Sequence, residues 1–538
     1  VALETVLVGW DGASFSLLDP LVKRGLMPHL KAALSEGTRA DLLSIVPALT
    51  PPAWTSLATG RSPGYHGVFD FFQKESPGSI HLRLTQSWNV RAKTIWEMAN
   101  SRSKRATLLN FPVTFPPPPV DGYVMSGGWL TPRQLKSACH PSGLYEEVKT
   151  IAGVDPRALI IDLSEEEKAL EGCPAHEMVE FVEKHIQRER LWSAIVSFLL
   201  DRDPTELLVV VFDGTDKIQH LCWPLLVSWA RGAATGCGSN RLLEVCLEYY
   251  RELDAILGRL IDRLGTNAHF LLVSDHGFGE SHDLFFVNEW LCRSGFLAWK
   301  DRAAGPKALP GQSLGMSRLA RHVFEMDWEK TVAFAATPSS NGIHLFGGEC
   351  AGGGSPPGQG EASIRDFLIE GLLGLKSPTT GKRLIAQVWK REEVFKGPYG
   401  ALGPDLTLGL WDGGLVSILG SEEIVRTRSH PVGAHRPEGI FLGMGPAFEG
   451  GRKLERLSLL DVAPMVLHLL GLPLPEALEG TFISPAFSKG FLKRNPVSRI
   501  RDTEPEPERL GGQPAAPVVT EEDEEIIAER LRRLGYLE

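Results

Sequence analysis

His269-Phe270-Leu271-Leu272-Val273-Ser274-Asp275-His276-Gly277 is the stretch whose reading decides the fold. Its apolar run is too short for a helix and lacks polar alternation, which is the pattern of a strand buried on both faces. The run ends on a carboxylate and an imidazole side by side. Burying both without partners is costly, so the pair reads as half of a metal site. Three other segments share the design. Asp11 follows the run 5–10, Asp216 and His220 follow the run 207–212, and His435 precedes the run 439–443. Singly, each has an ordinary explanation. Asp11-Gly12 suits a turn, an i,i+4 Asp–His pair suits a helix surface, and a loop histidine is commonly satisfied by its neighbours. Jointly, oxygen and imidazole donors at four strand ends are what a two-metal hydrolase needs.

Working outward, the spacing predicts strands at 5–10, 106–110, 207–212, 269–274 and 439–443, and helices at 53–59, 177–200, 241–264 and 458–470. Alternation of this kind predicts an α/β fold, a mostly parallel central sheet with helices on both faces. In such sheets ligands collect beyond the carboxyl ends of the strands. Between 283 and 430 the texture changes, with Gly347-Gly348 and a Gly-rich run at 352–360, and an inserted cap region over the site is expected there. The expected organisation is a core of residues 1–282 and 431–494, a cap or substrate region at 283–430, and a linker with a C-terminal helix at 495–538. Residues 495–518 are Pro-rich and charged. Thr520 with the acidic turn after it opens the tail helix, and Arg530, Arg532 and Arg533 close it before Gly535. Its face of Ile527, Leu531 and Leu534 suits docking rather than catalysis.

Composition narrows the function classes. The 538 residues are 43% hydrophobic and 23% charged, as in an ordinary globular protein. A net charge of −10 argues against nucleic-acid binding, which calls for a basic face. Seven cysteines without CxxC spacing read as reduced thiols in a cytoplasmic protein. No apolar run reaches the ~18 residues of a membrane span, and residues 1–10 lead into a strand without a leader pattern.

The nucleophile candidate is Thr50, in Pro47-Ala48-Leu49-Thr50-Pro51-Pro52-Ala53-Trp54. As a structural feature it reads as an N-cap with Pro51 at the first helical position. A hydroxyl at a helix start also lies where backbone N–H groups and the helix dipole favour a phosphate.

The segments Val6–Ala13, Leu49–Trp54, Thr59–Gly67, Thr215–His220, Ser274–Gly277 and Gly433–Gly439 together resemble the type I phosphodiesterase/nucleotide pyrophosphatase branch of the alkaline phosphatase superfamily. Asp461-Val462-Ala463-Pro464 and Leu470–Pro473 resemble that family's late helix, so the likeness runs in order from about residue 5 to 480. The resemblance implies a metal-dependent phosphoesterase with two divalent ions. Asp11, Thr50, Asp275 and His276 would hold one, and Asp216, His220 and His435 the other. Mixed imidazole and carboxylate donors suit Zn²⁺, with Mn²⁺ the competitor. Two divalent ions against three carboxylates leave a positive site that attracts a phosphate ester, the expected small-molecule substrate. The implied reaction is attack by Thr50 on phosphorus, then hydrolysis of a phosphothreonine. One position departs from the pattern: nucleotide pyrophosphatases usually carry Asn three residues after the nucleophile, and Ala53 stands here. Lys217, Arg61 and Arg436 are the candidates for the missing phosphate contact.

Rival readings fare less well. A sulfatase needs Cys or Ser followed by x-Pro-x-Arg, and Thr50–Trp54 supplies neither the oxidisable residue nor the arginine. A phosphomonoesterase or phosphotransferase/mutase of the same superfamily stays open as an alternative, as does a non-catalytic metal-binding relative. Thr380–Arg383 lacks the first Gly and the Ser/Thr of a P-loop, and His176–Glu180 lacks the second His of a zinc-protease helix.

Overall fold

The computed structural model describes residues 2–74, 76, 79, 82–160, 175–232, 241–264, 267–300, 323, 325–346 and 361–501. The expected C-terminal helix, most of the linker and the Gly-rich run at 352–360 lie outside the described residues.

Nine strands form the central sheet: β1 (Thr5–Trp10), β2 (Thr38–Leu43), β3 (Ala106–Leu109), β4 (Gly122–Met125), β5 (Cys139–His140), β6 (Leu207–Phe212), β7 (His269–Val273), β8 (Glu438–Met444) and β9 (Arg452–Ser458). Their spatial order is β9-β2-β8-β7-β1-β6-β3-β4-β5. The middle of the sheet is parallel, with β7, β1, β6, β3 and β4 running the same way. β8 runs antiparallel to both its neighbours. It is entered directly from the long strand Val425–Arg436, and a connection that short leaves no room for a helical crossover.

Alternate residues of the central strands feed two different cores, which is why the runs contain few polar residues. Val6, Val8, Trp10, Leu208, Val210 and Phe212 face one side. There they meet helices α1 (Phe15–Lys23), α3 (Ala175–Arg202), α4 (Gly214–Ala230) and α5 (Arg241–Leu264). Leu7, Val209, Val211, Leu271 and Val273 face the other side, against α2 (Thr50–Thr59) and α6 (Val462–Leu469). The expected α/β architecture with helices on both faces is what the chain adopts.

Gly9 lets α2 come close to the sheet. A Cβ there would stand 2.4 Å from the Trp54 ring, so any side chain would push the helix outward.

A third apolar cluster joins the helix Val287–Arg293 to a small four-stranded sheet of Ala333–Phe334, Gly342–Leu345, Leu406–Leu410 and Ile385–Lys390. The strand Gly277–Phe286 pairs antiparallel with Val425–Arg436 and leads the chain out of the core and back. Both expected boundaries, near 283 and 430, therefore fall inside strands. Buried Asp70 pins this outer part to the core: it accepts hydrogen bonds from Ser339 Oγ at 2.6 Å, from Thr337 Oγ1 and from its neighbour's Phe71 N–H at 2.7 Å. Asp70→Ala strands the buried Ser339 hydroxyl and leaves Thr337 Oγ1 with Ser340 Oγ alone, at a cost of about 1–3 kcal/mol. A clearly lowered thermal midpoint is expected; an unchanged one means that the two loops are held by other contacts.

Candidate functional site

Strands β7, β1 and β6 are adjacent, parallel and in flush register, with Thr5 opposite both Leu207 and His269. Their carboxyl ends therefore release Asp275, Asp11 and Asp213 at the same level. Gly12 makes the turn after β1 with φ +67°, and a Cβ there would meet the Phe278 ring at 2.6 Å. Its N–H donates to Asp275 Oδ1 at 3.2 Å. α4 starts directly after β6 and is fastened to the same turn: Thr215 Oγ1 donates to the Asp11 carbonyl, and Gln219 Nε2 donates to the Gly12 carbonyl at 2.9 Å. One helical turn separates Asp216 from His220, so both project from one face of α4 toward the end of β1. His435 arrives from the strand Val425–Arg436, opposite Phe278 in its partner strand.

All seven expected site residues converge, in two groups. In the first, Asp216 Oδ1 lies 3.4 Å from His220 Nε2 and 3.2 Å from His435 Nε2, and the two Nε2 atoms are 3.1 Å apart. In the second, His276 Nε2 lies 3.3 Å from Asp275 Oδ2, 3.6 Å from Asp11 Oδ1 and 3.3 Å from Thr50 Oγ1. His276 stands between the groups, 4.0 Å from Asp216 Oδ1, with its ring stacked on His435 at 3.6 Å between centroids. Two imidazoles have fixed tautomers. His435 Nδ1 faces the Ala48 carbonyl at 2.8 Å and His276 Nδ1 faces the Gly277 carbonyl at 3.2 Å. A carbonyl only accepts, so each Nδ1 donates and each Nε2 turns its lone pair to the cluster.

The electrostatics fit a cation. Burial pushes Asp275 up to about 8. Burial, together with the Asp275 and Asp216 charges, raises Asp11 well above the usual carboxylate range. For Asp216 burial acts in the same direction, but His220 and His435 outweigh it and hold the carboxyl low. Burial, aided by the His435 charge, lowers His276. Asp11 Oδ1 and Asp275 Oδ2 are fully buried with no hydrogen-bond donor among the described residues. An ion between them would satisfy both atoms. Asp11-Asp275-His276 and Asp216-His276-His435 are each compact enough to hold a metal ion.

Thr50 corrects one expectation. The N-cap of α2 is Leu49, not Thr50, because the Ala53 N–H donates to the Leu49 carbonyl at 2.9 Å. Thr50 is thus the first residue of the helix, and α2 spans 50–59 rather than 53–59. Of the first three helical residues, Pro51 and Pro52 have no N–H. The backbone cradle expected for phosphate is reduced to the single N–H of Thr50.

Three residues have a part in the site that the sequence does not assign. Trp54 Nε1 donates to Asp11 Oδ2 at 3.1 Å, which orients that carboxylate. Asp213 accepts from Lys217 Nζ at 3.0 Å and from Arg188. Asn110, with φ +54°, donates to the Val211 carbonyl at 2.8 Å and to Asp213 Oδ1 at 3.2 Å. The rule that found Asp11, a polar residue where an apolar strand ends, applies equally to Asn110 and Asp213. Of the three candidates for the missing phosphate contact, Lys217 lines the same cavity as Thr50, Asp11 and Asp216. Arg61 instead lies over the Tyr65 ring near Glu479, and Arg436 donates to the Glu280 carbonyl. The remaining motif positions are structural: His66 bonds Ser56 Oγ at 2.8 Å, and Asp461 caps Ser458 and Thr481 N–H groups.

A parallel sheet beyond whose strand ends three carboxylates and three imidazoles gather round a threonine at a helix start defines an alkaline phosphatase-like α/β hydrolase. The model of the type I phosphodiesterase / nucleotide pyrophosphatase family matches residues 5–351, and the chain belongs to that family. It is a phosphoester hydrolase of the phosphodiesterase/pyrophosphatase type. Among solved structures, murine ectonucleotide pyrophosphatase/phosphodiesterase 5 is 16% identical, with 90% of this chain and 100% of that chain covered and a TM-score of 0.50. The human protein of the same name is 15% identical over the same shares, with a TM-score of 0.51. An inactive murine variant, in which a threonine is replaced by alanine, was solved in complex with AMP and is similar at 14% identity and a TM-score of 0.50, over the same 90% and 100%. At these identities the likeness is one of fold. No curated protein matches the chain. Among the described residues no helix is long and apolar enough to cross a membrane.

Proposed function

We propose that the chain is a two-metal phosphoesterase acting through a phosphothreonine at Thr50. Asp216, His220 and His435 would hold one ion, and Asp11, Asp275, His276 and Thr50 the other. The spacing of the first triad carries this reading. Tetrahedral Zn²⁺ with bonds of about 2.0–2.1 Å sets its donor atoms about 3.3–3.4 Å apart, and the triad's three edges are 3.1, 3.2 and 3.4 Å. Two imidazoles and one carboxylate favour Zn²⁺ there, whereas the second set, richer in oxygen, also suits Mn²⁺.

When bound, the ions supply Lewis-acid stabilisation of phosphate oxygens and acidify the attacking hydroxyl and water. Thr50 Oγ1 forms the new bond to phosphorus as the alcohol or phosphate leaving group departs. Water then hydrolyses the phosphothreonine and restores the hydroxyl. The buried Thr50 side chain is pre-placed for this, fixed by a helix that is itself buried along its whole length. The inactivity of the murine threonine variant supports a threonine in that role. Residues 283–430 would form the cap that sets specificity. Cys139, Cys222 and Cys246, buried free thiols, support a reducing, cytoplasmic setting.

The test is turnover of bis-p-nitrophenyl phosphate and p-nitrophenyl phosphate after loading with Zn²⁺ or Mn²⁺. Hydrolysis of either is expected, and hydrolysis of neither favours a non-catalytic relative. Trp54→Phe removes the donor that orients Asp11 and is expected to weaken metal affinity about 10–100-fold in competition with a chelating dye. Unchanged affinity would reduce Trp54 to a packing residue.

A further inference from the structure

We propose that Lys217 grips the transferring phosphoryl group and lets the site accept phosphate carrying two negative charges. The inference rests on the phosphoesterase reading above and adds a substrate class to it, dianionic phosphate monoesters beside singly charged diesters.

Four observations lead to Lys217. The start of α2 offers phosphate one N–H in place of three, because Pro51 and Pro52 follow Thr50. Ala53 contributes only a buried methyl group. Phosphate oxygens turned away from the ligand clusters therefore need another donor, and Lys217 is the cationic side chain lining the Thr50 cavity. Its side chain is only 8% exposed, and its ammonium has three N–H groups, of which Asp213 Oδ2 takes one at 3.0 Å.

Helix stability does not explain a lysine at this place. Lys217 lies in the first turn of α4, where the helix dipole disfavours a cation. An i,i+4 ion pair contributes little even when exposed, and here the ammonium is also desolvated. Nor does Asp213 cancel its charge, since buried Arg188 shares the same carboxylate. Lys217, Asp213 and Arg188 together carry one net positive charge. Glu189, the next carboxyl in this layer, also faces the Arg188 charge, but burial pushes it up to about 7 and its Oε1 is turned to the Gly214 N–H and the Tyr249 hydroxyl, both at 3.0 Å, so it offsets that charge only in part. The base under Lys217 is rigid. Asn110 bonds both Asp213 and Arg188, and its left-handed backbone is packed so tightly on Gly127 that a Cβ there would stand 2.1 Å from the Asn110 carbonyl. Strain of this kind persists where the surroundings over-determine a residue, as at binding sites.

The test compares metal-loaded wild type with Lys217→Gln and Lys217→Arg. Three quantities are measured: kcat/KM for p-nitrophenyl phosphate and for bis-p-nitrophenyl phosphate, the Kd of inorganic phosphate by calorimetry, and metal content. Lys217→Gln is expected to lower the monoester kcat/KM about a hundredfold and the diester value less than about tenfold. It should weaken phosphate about tenfold with metal content unchanged. Lys217→Arg keeps the cation and should recover most of the phosphate affinity. Equal losses for both esters with an unchanged phosphate Kd would overturn the proposal and leave Lys217 as a support for Asp213. If Lys217→Gln does not fold, Lys217→Met, close in shape and apolar, takes its place. If the wild type hydrolyses neither ester, the phosphoesterase reading fails, and the phosphate titration still decides on Lys217.

Discussion

Thr50→Ala is expected to lower turnover of p-nitrophenyl esters by at least about three orders of magnitude, since it removes the hydroxyl proposed to form the covalent intermediate. The bound metal should remain, because Asp11, Asp275 and His276 still surround the second site and the Asp216 triad is untouched. Metal analysis alongside the kinetics separates the two roles of the hydroxyl. Activity within about tenfold of wild type would remove Thr50 from the mechanism. Loss of both metal and activity would make it a ligand first.

Stripping the protein with a chelator is expected to abolish turnover and to change how stability depends on pH. Without a cation, the folded protein holds Asp275 at about 8 and Asp11 also raised, chiefly by burial. The unfolded chain releases those protons near pH 4. At these two carboxyls the folded state therefore binds more protons than the unfolded one between about pH 4 and 8, and their contribution to stability falls as pH rises. Asp216 acts in the opposite direction: held low by His220 and His435, it contributes stability above about pH 4 that is lost on acidification. Metal bound at the proposed site would replace the protons on Asp11 and Asp275. The gap in thermal midpoint between loaded and chelated protein should then widen as pH rises across this window. The same slope in both forms would mean that these carboxylates do not bind the ion.

The legible part of the fold is its two-faced centre. β1, β3, β6, β7 and β8 read as apolar runs because both faces of the sheet are covered. β2 and β9 did not, since Thr38–Leu43 alternates buried and half-buried residues and Arg452–Ser458 is mostly charged or exposed. β5 has only two residues and no pattern to read. The site residues were legible because strand ends and helical i,i+4 spacing are local signals. The contacts that aim them are not local: Trp54 meets Asp11 across 43 residues, and Gly12 meets Asp275 across 263. Proline favours the first helical position, so the sequence points to Thr50 as the cap of α2, whereas Leu49 accepts the Ala53 N–H and draws Thr50 into the turn.

Anomalous diffraction at the zinc edge, from crystals grown with Zn²⁺, tests the central claim most directly. Two peaks are expected in each chain, one enclosed by Asp216, His220 and His435 and the other by Asp11, Asp275, His276 and Thr50. No peak at either place, or zinc held only by residues outside these sets, would contradict the two-metal account.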